Sequence, residues 1–395
     1  MLRLRCGCVL LSDYKPLYSQ ILGILRERIS QGEYVIGQQL PTEVELAEQF
    51  GVSRITSKRA LIELEREGLI YRRRGSGSFV KKQEEVTAEK EMQAVPAPSR
   101  IVSMILPFVS ANNSFEHMQG VAEYVESKGY YLSIHNSEWN SARERELLQS
   151  LPKRGTSGII LYPVSTQHNM DIVHALHQNG YPIVTVDQYY SLLAMGSAVS
   201  DNFEGGYTAA SKLIELGHAR IAFLSTIGIQ YRSTVHDRYF GYCKALSDNG
   251  ITLDTELIFS DMHKEAEGPT DVRRAFYRQL IERLLALQVT AIQAEHDMVA
   301  YDCIKACMEL GVNVPEELSV VGFDNNDMSR QADIPISTVE QNYVEIGRRS
   351  AMMIVDQLEH GTIQRERADI PVKWIERQSI GPGPELGLES QELQE

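Results

Sequence analysis

The sequence has few cysteines, only two tryptophans and no long apolar run. Its 395 residues include five cysteines, at positions 6, 8, 243, 303 and 307, an odd and sparse set that makes no disulfide framework. The apolar runs at 101–106, 158–162 and 318–323 are far shorter than the roughly 20 residues of a membrane span. No charged and then apolar leader ends in a small-residue cleavage site. These absences predict a cytoplasmic protein with reduced thiols and no membrane partner.

Motifs for catalysis and metal binding are also missing. No G-x-x-x-x-G-K-[ST] run occurs, H-E-x-x-H is absent, and no G-x-G-x-x-G follows the apolar run IVSMILP. His174 and His177 would share one helix face, but this pair alone does not make a metal site. We therefore expect no catalytic residues, no metal and no cofactor, and we expect that the protein is not an enzyme.

Charge is distributed unevenly along the chain. Residues 1–83 contain 14 Lys and Arg against 9 Asp and Glu, a net charge of +5, whereas residues 84–395 contain 25 against 44, a net charge of −19. Affinity for phosphate depends on local positive charge and not on the total of −14. The asymmetry therefore predicts a module that binds a polyanion, joined to an acidic body.

The basic N-terminal part has the pattern of three helices and a hairpin. KPLYSQILGILRERISQG places apolar residues three and four apart, which predicts an amphipathic helix. Thr42 and Glu45 form a T-x-x-E capping box for a short second helix that Gly51 ends. Ser53 can cap a third helix, and LIYRRR and SFVKK flank a Gly-Ser-Gly turn.

Two helices joined by a short turn, the second with a basic start, match a helix-turn-helix motif whose hairpin is a wing. A solvated charge run is the alternative, and the concentration of charge at one helix start and one turn favours binding to double-stranded operator DNA. The predicted contacts lie at the start of the third helix and along the wing: Arg54, Thr56, Ser57, Lys58, Arg72, Arg73 and Arg74.

Residues 83–100 are polar and contain prolines, as is typical of a linker, and after them short apolar runs alternate with helical patterns. This alternation predicts an α/β fold with two lobes of parallel sheet. Ligands of such sheets bind beyond the carboxyl ends of the strands. The polar residues found there are Asp187, Asp201, His296, Asp297 and Asp324, with Arg238 at a predicted helix start. Helix capping is the alternative for each aspartate, and we expect Asp201 to be a cap.

Two family resemblances fit this division. The run LPTEVELAEQFGVSRITSKRALIELEREGLI with GSGSFV resembles the GntR-type winged-helix domain, which implies operator binding as a homodimer. The resemblance adds Ser53 and the wing tip, Gly75, Ser76 and Gly77, to the expected DNA contacts. Val44 departs from it, because many members carry a basic or amide residue there. Residues 101–379 resemble the LacI/GalR sensor domain, of the periplasmic-binding-protein type I fold, on SAVSDNFEGGYTAASKLIELGHARIAFLS, RYFGY, LSVVGFDNNDMSRQADIPISTVEQ and RQS.

The second resemblance implies a small-molecule effector, a sugar, bound between two lobes. It implies that Arg238 and Asp324 bond to sugar hydroxyls, that His296 replaces a usual asparagine beside Asp297, and that Phe115 and Asp187 hold weaker ligand positions. The combination of the two domains is similar to arabinose-responsive repressors. The predicted domains are a winged helix-turn-helix at 13–82, a linker at 83–100, a two-lobed effector domain at 101–380 and a disordered tail at 381–395.

The sequence therefore predicts a DNA-binding transcriptional regulator, a repressor of carbohydrate-utilisation genes that a sugar releases from its operator. Two alternatives stay open at this point. One is an activator that responds to a molecule other than a sugar. The other is a stand-alone sugar-binding protein, which would leave the basic N-terminal part unexplained.

Overall fold

The structure, a computed structural model, describes residues 16–73, 76–81, 100–108, 112–266 and 268–384, without the side chains of residues 112 and 113. Internal contacts divide the chain into two units, residues 1–97 and residues 98–395. Within the described ranges, no helix combines the length and the apolar character that a bilayer crossing needs.

The first unit consists of three helices and a hairpin around one small core. Its elements are α1 (Leu17–Ser30), α2 (Glu43–Phe50), α3 (Arg54–Arg66), β1 (Ile70–Arg73) and β2 (Gly77–Val80). The predicted capping box is confirmed, because Thr42 Oγ1 accepts from the Glu45 N–H while the Glu45 carboxylate accepts from the Thr42 N–H. The strands pair antiparallel, with Arg73 opposite Gly77. The core joins all of these elements through Ile21, Leu25, Leu46, Phe50, Ala60, Leu61, Leu64, Ile70 and Val80.

The second unit has two lobes, each with a parallel sheet between helices. The sheet of lobe 1 has the order β4-β3-β5-β6-β7-β13. Its strands are β3 (Ile101–Leu106), β4 (Tyr131–Asn136), β5 (Gly158–Leu161), β6 (Ile183–Val186), β7 (Ser197–Ser200) and β13 (Arg367–Ile370), and its helices are α4 (Asn112–Ser127), α5 (Ser141–Ser150), α6 (Met170–Gln178) and α13 (Tyr343–His360). Two apolar clusters cover the two faces of this sheet.

The sheet of lobe 2 has the order β9-β8-β10-β11 and is also parallel. Its strands are β8 (Ile221–Leu224), β9 (Ile258–Phe259), β10 (Ala291–Ala294) and β11 (Ser319–Val321), and its helices are α7 (Asn202–Glu215), α8 (Ser233–Asp248), α9 (His263–Ala266), α10 (Thr270–Ala286), α11 (Asp297–Leu310) and α12 (Asp327–Gln331). A short antiparallel pair, β12 (Thr338–Glu340) with β14 (Lys373–Ile375), lies beside this sheet through parallel bridges to the segment 321–324. Apolar clusters again cover both faces.

The chain passes between the lobes three times. It leaves lobe 1 after β7, returns after β12, and leaves again between β13 and β14. Two hydrogen bonds hold these crossing segments together. Ser200 Oγ donates to Gln341 Oε1 at 2.6 Å, and the Asp201 N–H donates to the Ile370 carbonyl at 2.8 Å. The lobes are therefore joined by a narrow bundle of three segments, which is the arrangement of a hinge.

Each lobe contains two helices whose backbones touch at glycines. A Cβ on Gly206 of α7 would lie 2.1 Å from the Arg238 carbonyl oxygen of α8, and one on Gly241 of α8 would lie 2.1 Å from the Phe203 carbonyl oxygen. In lobe 1, Gly120 of α4 and Gly347 of α13 approach the facing backbone equally closely. Contact at this distance leaves no room for any side chain. The position of Arg238 therefore depends on a glycine 32 residues earlier in the chain.

Two sequence predictions differ from the structure. The helix that carries Arg238 begins at Ser233, so Arg238 lies in its second turn and not at its start. The predicted disordered tail is wrong for residues 381–384. The Gly381 carbonyl bonds to the His218 ring at 3.0 Å, and the Gly383 N–H donates to Leu216 at 2.7 Å. Residues 385–395 lie outside the described ranges.

A methyl group added at the α7–α8 contact should destabilise lobe 2. We expect Gly206→Ala to lower the free energy of unfolding by about 1–3 kcal/mol, the usual cost of overpacking, and to lower the melting midpoint by several degrees. Gly23→Ala is the control, because Gly23 lies inside α1 with nothing within 4 Å of an added Cβ. That variant should be slightly more stable than the wild type. A calorimetric scan in which Gly206→Ala melts like the wild type would contradict the close contact.

Candidate DNA interface and effector cleft

The start of α3 carries most of the predicted DNA contacts, and the structure gives them different roles. Ser53 caps the helix, since its Oγ accepts from the Thr56 N–H at 3.2 Å and lies 2.8 Å from Thr56 Oγ1. These two hydroxyls are therefore engaged with each other and with the helix end. Arg54 and Lys58 are exposed, one turn apart on the same helix.

Ser57 is wrong as a predicted DNA contact. Its side chain is fully buried, and its Oγ donates to the carbonyl of Glu43 at 2.6 Å and to that of Arg54 at 3.1 Å. The bond to Glu43 fixes α3 against the start of α2. The helical period contained this information, because Ser57 lies three and four residues before the inward-facing Ala60 and Leu61.

Glu43 holds the two arginines that lie on either side of it. Its carboxylate accepts from Arg72 Nη2 of the wing at 2.5 Å and lies 3.5 Å from Arg54 Nε of α3. Arg54 nevertheless keeps 70% of its side chain exposed. The contact is closest at Nε, so the terminal nitrogens of Arg54 stay available for a bidentate contact to a base. Glu43 was not predicted from the sequence, because an acidic side chain does not suit a surface that binds DNA.

The wing places its basic residues on one strand. Arg72 and Arg73 belong to β1, and they pair with Ser78 and Gly77 of β2. The Ser76 carbonyl accepts from Gln39 Nε2 at 2.8 Å, and Gly77 has a φ of +108°, a value that favours glycine. A groove of about 560 Å³ runs between the wing and α2, lined by Val44, Arg54, Arg72 and Arg73 among others. The predicted contacts Arg74 and Gly75 lie outside the described residues.

In the second unit, the predicted effector residues lie where the strands of both lobes end. Arg238 is the most enclosed of the cations there. Its Nε donates to Asn202 Oδ1 at 2.8 Å and its Nη1 donates to the Glu295 carbonyl at 2.5 Å. Its guanidinium carbon lies 3.6 Å from the centre of the Phe323 ring. Three elements therefore fix the guanidinium, and its Nη2 faces Asp324.

Asp324 faces Arg238 from the loop after β11. Its Oδ1 lies 3.8 Å from Arg238 Nη2 and accepts from Gln341 Nε2 at 2.6 Å. Burial raises the pKa of Asp324, and the Arg238 guanidinium opposes that shift. Gln341 was missed by sequence reasoning although it closes the apolar run ISTVEQ. It connects Asp324 to the crossing segment at Ser200.

Asp187 lies after β6, in lobe 1, and is also enclosed. Its side chain is 3.9 Å from the buried His117 ring. Burial is the larger of two causes that hold the pKa of the Tyr162 phenol well above its usual value, and the negative charge of Asp187 is the second. The Asp187 and Asp324 carboxylates are close enough for Asp187 to raise the pKa of Asp324. Arg238, Asp324 and Asp187 therefore occupy one region, and Asp201 caps α7 as expected.

Asp297 differs from the prediction that it binds the effector. It is fully buried at the start of α11, where its Oδ1 accepts from Thr338 Oγ1 at 2.6 Å and its Oδ2 accepts from the Asn326 N–H at 2.9 Å. These bonds hold the loop that carries Asp324. Burial, followed by the nearby Asp324 charge, raises the pKa of Asp297 to about 7. Asp297 thus lies beneath the loop and is not available to a ligand.

His296 and Phe115 open onto two different cavities between the lobes. His296 caps α11 and lines a cavity of about 800 Å³ together with Trp139, His168, Arg232 and other residues of both lobes. Phe115 is 66% exposed and lines a cavity of about 330 Å³ that also contains Asp324, Asn325 and Gln341. The structure therefore does not place all predicted effector residues in one cavity.

The two lobes touch at the mouth of the cleft. The guanidinium carbon of Arg232 lies 4.7 Å from the Trp139 ring centre, and Trp139 stacks on Phe108 at 5.0 Å. Thr166 Oγ1 donates to the Tyr231 carbonyl at 3.1 Å. Arg232 and Tyr231 belong to lobe 2 and the other three to lobe 1, so closing or opening the cleft must change these contacts. Neither Trp139 nor Arg232 was predicted from the sequence.

Left-handed backbone is concentrated at the cleft. Eight non-glycine residues in the described ranges have positive φ. Trp139 and Asp261 line the larger cavity, Asp324 and Asn325 line the smaller one, and Asp187 is a predicted site residue. Conformations of this kind cost about 1–3 kcal/mol each and persist where the surroundings enforce them, most often at ligand sites.

Comparison with known families agrees with the two units. Residues 17–80 match the model described as bacterial regulatory proteins, gntR family, and residues 210–380 match the model of a periplasmic binding protein-like domain. The predicted fold class is thereby confirmed. The chain joins a GntR-type DNA-binding domain to a periplasmic-binding-protein-like domain.

Individual relatives are transcriptional regulators. A protein named arabinose metabolism transcriptional repressor from Geobacillus stearothermophilus is 28% identical over 356 residues, which are 89% of this chain and 93% of that protein. The HTH-type transcriptional repressor PurR of Mannheimia succiniciproducens is 28% identical over 268 residues, 67% of this chain and 76% of that protein. A solved LacI family transcriptional regulator of Enterococcus faecium with bound ribose has a TM-score of 0.60 at 24% identity, covering 71% of this chain and 99% of that chain. The present chain is a DNA-binding transcriptional regulator.

The two kinds of arginine in the first unit should behave differently on DNA. Arg54→Ala should lose affinity for one preferred base pair, by about 1–3 kcal/mol, because a bidentate base contact is lost. Arg73→Ala should weaken binding to every sequence alike and lower the salt slope by about one, because only a phosphate contact is lost. Fluorescence anisotropy at several salt concentrations measures both. Equal effects of the two variants on all sequences would mean that Arg54 contacts only phosphate.

The buried Asp297 should give the second unit a pH-dependent stability. A carboxyl group whose folded pKa of about 7 lies above its ordinary 3.8 binds its proton more tightly in the folded state. Its contribution to the free energy of unfolding is present below about pH 4 and is lost as the pH rises to about 7. The wild type should therefore lose stability relative to Asp297→Asn between pH 5 and 7, measured by urea unfolding. Asp201→Asn, at a partly exposed cap, is the control and should parallel the wild type.

Proposed function

We propose that this regulator represses carbohydrate-utilisation genes and leaves its operator when a sugar binds in the cleft of the second unit. The observation that supports this most is the enclosed pair of Arg238 and Asp324. A sugar hydroxyl both donates and accepts hydrogen bonds, so one hydroxyl can accept from the guanidinium and donate to the carboxylate. The pair lies at the carboxyl ends of parallel strands, where ligands of open α/β sheets bind.

The two parts of the chain divide this work. We assign operator binding to residues 13–82, with Arg54, Lys58, Arg72 and Arg73 as the described cationic contacts, and effector binding to residues 101–380. Residues 83–100 link the two. In the effector domain we assign direct contacts to Arg238, Asp324, Asp187 and Gln341, with Phe115 and His296 at the two cavities and Asp297 as a support.

The identity of the sugar is proposed from the relatives. The name of the Geobacillus stearothermophilus protein points to arabinose, and that protein matches nearly the whole of this chain. We therefore take L-arabinose as the first candidate. We further propose that the regulator is a homodimer, because two copies of the DNA-binding domain would match two half-sites of an operator. We also propose that it is cytoplasmic and has no enzymatic activity.

Effector binding can act through closure of the lobes. A sugar that bonds to Asp187 of lobe 1 and to Arg238 of lobe 2 favours the closed cleft over an open one, and the three crossing segments allow the lobes to rotate. A coupling of about 1–3 kcal/mol between sugar and operator would change operator affinity by about 5- to 150-fold. By linkage, the operator must weaken sugar binding by the same factor.

A panel of pentoses, hexoses, disaccharides and their phosphates tests the proposal. One sugar should raise the melting midpoint of the second unit by several degrees, because saturation at about 100 times Kd adds about 2.7 kcal/mol. The same sugar should release the intact protein from operator DNA. Arg238→Ala should abolish both responses while it keeps DNA binding. Arg274→Ala, which removes a surface ion pair with Glu309, is the matched control and should respond like the wild type.

Tryptophan fluorescence reports the closure itself. The sequence has two tryptophans, Trp139 at the mouth of the cleft and Trp374 on β14. In a Trp374→Phe background, the responding sugar should change the emission of Trp139, since the Arg232 contact depends on the distance between the lobes. No response to any sugar in the panel, or release that survives Arg238→Ala, would overturn the proposal.

A further inference from the structure

An isoleucine stands exposed at the start of the recognition helix. Ile55 is the second residue of α3 and keeps 79% of its surface accessible, the largest exposed fraction of any large apolar residue among the described residues of the first unit. The same helix buries Ala60, Leu61 and Leu64 in the core. An isoleucine left in water forgoes the favourable burial of its apolar surface. Its side chain therefore adds nothing to the core of the first unit and is free to contact a partner.

The helical period places Ile55 opposite the core. With 100° per residue, the direction of Ile55 lies about 160° from that of the buried Ser57, whereas Ala60 and Leu64 lie within about 60° of Ser57. Lys58 lies one turn further along the outward face, and Ile62 nearly two turns along it. Ile55 is thus on the side of α3 that would enter the major groove.

The neighbouring polar groups leave Ile55 prominent at the helix start. The hydroxyls of Ser53 and Thr56 are engaged in the cap, and Ser57 is buried. Of the residues from 53 to 58, Arg54, Ile55 and Lys58 are the ones whose functional groups remain for contact with bases. Arg54 and Lys58 suit the acceptors of guanine, and an apolar side chain suits the one apolar group of the major groove, the C5 methyl of thymine.

We propose that Ile55 reads the C5 methyl group of a thymine in the operator and so determines specificity at one base pair. Isoleucine is well suited to this contact, because a β-branched side chain in a helix has one strongly preferred χ1 rotamer and loses little freedom on binding. The cations Arg54 and Lys58 on the same helix favour DNA over an apolar protein partner. The inference rests on operator binding by the first unit, and it adds the identity of a base that this unit recognises.

Removal of single methyl groups from DNA tests the contact directly. The full-length protein first selects its preferred sites from a random duplex library. Each thymine of the enriched site is then replaced by deoxyuridine, which lacks only the methyl group, and affinity is measured by fluorescence anisotropy. At one position of each half-site the wild type should bind about fourfold more weakly, the effect of about 0.8 kcal/mol for one buried methyl.

Variants on the same helix face assign that loss to Ile55. Ile55→Ala should bind thymine and deoxyuridine sites equally, and Ile55→Val should keep part of the preference. Ile62→Ala, further along the same face, is the matched control and should discriminate like the wild type. None of these changes alters charge, so the salt slope should stay constant. Alanine at the exposed position 55 favours the helix, so folding should be kept.

The outcomes separate this inference from the function on which it rests. An enriched site at which no deoxyuridine weakens binding overturns the contact and leaves operator binding intact. The same holds if Ile55→Ala keeps the full deoxyuridine effect, or if it changes the oligomeric state and not the base preference. A selection that enriches no sequence overturns both operator recognition and the thymine contact.

Discussion

The guanidinium group of Arg238 is the point on which the arrangement of the effector domain depends. The Arg238 side chain is buried, and a buried cation without partners would lower the free energy of unfolding by several kcal/mol. The elements around it therefore supply hydrogen-bond acceptors and an aromatic ring. Asn202 begins α7 directly after the first crossing of the chain, and Asp324 connects through Gln341 to the second crossing. The same side chain thus connects the hinge and the ligand region. Any ligand that competes for Arg238 or Asp324 acts on contacts that also hold the crossing segments.

The DNA-binding domain handles positive charge in the opposite way. Arg54 keeps 70% of its side chain exposed and Arg72 keeps 30%, and one carboxylate, that of Glu43, holds both of them. Ion pairs near the surface contribute little stability, so we take this arrangement to serve mainly the orientation of the two arginines. The acidic body of the protein keeps the overall charge negative, which limits binding to DNA at random. A basic domain on an acidic chain therefore favours sequence-specific over non-specific binding to DNA.

The sequence predicted the elements of the first unit well, since capping boxes, glycine stops and apolar periods are local patterns. It also predicted two parallel lobes and brought Arg238 together with Asp324. Five strands were missed, β4, β7, β9, β13 and β14, because none of them contains a continuous apolar run like those from which the other strands were predicted. Ser57 and Asp297 were assigned to ligands although both are buried, because residue type alone does not reveal which face a side chain occupies. Gln341, Trp139 and Arg232 were missed because their partners lie far away in the chain, and Glu43 was missed because its acidic side chain does not suit a DNA-binding surface.

The backbone contacts at the paired glycines have a mechanical consequence. Helices that touch through side chains can adjust by rotamer changes, whereas helices that touch backbone to backbone have no soft layer between them. Each lobe is therefore a stiff lever. The backbone contacts are those of Gly120 and Gly347 in lobe 1 and of Gly206 and Gly241 in lobe 2. A ligand that draws two stiff lobes together therefore changes the angle between them and does not deform either lobe. A binding event a few ångströms across can in this way produce a larger displacement at the far ends of the lobes.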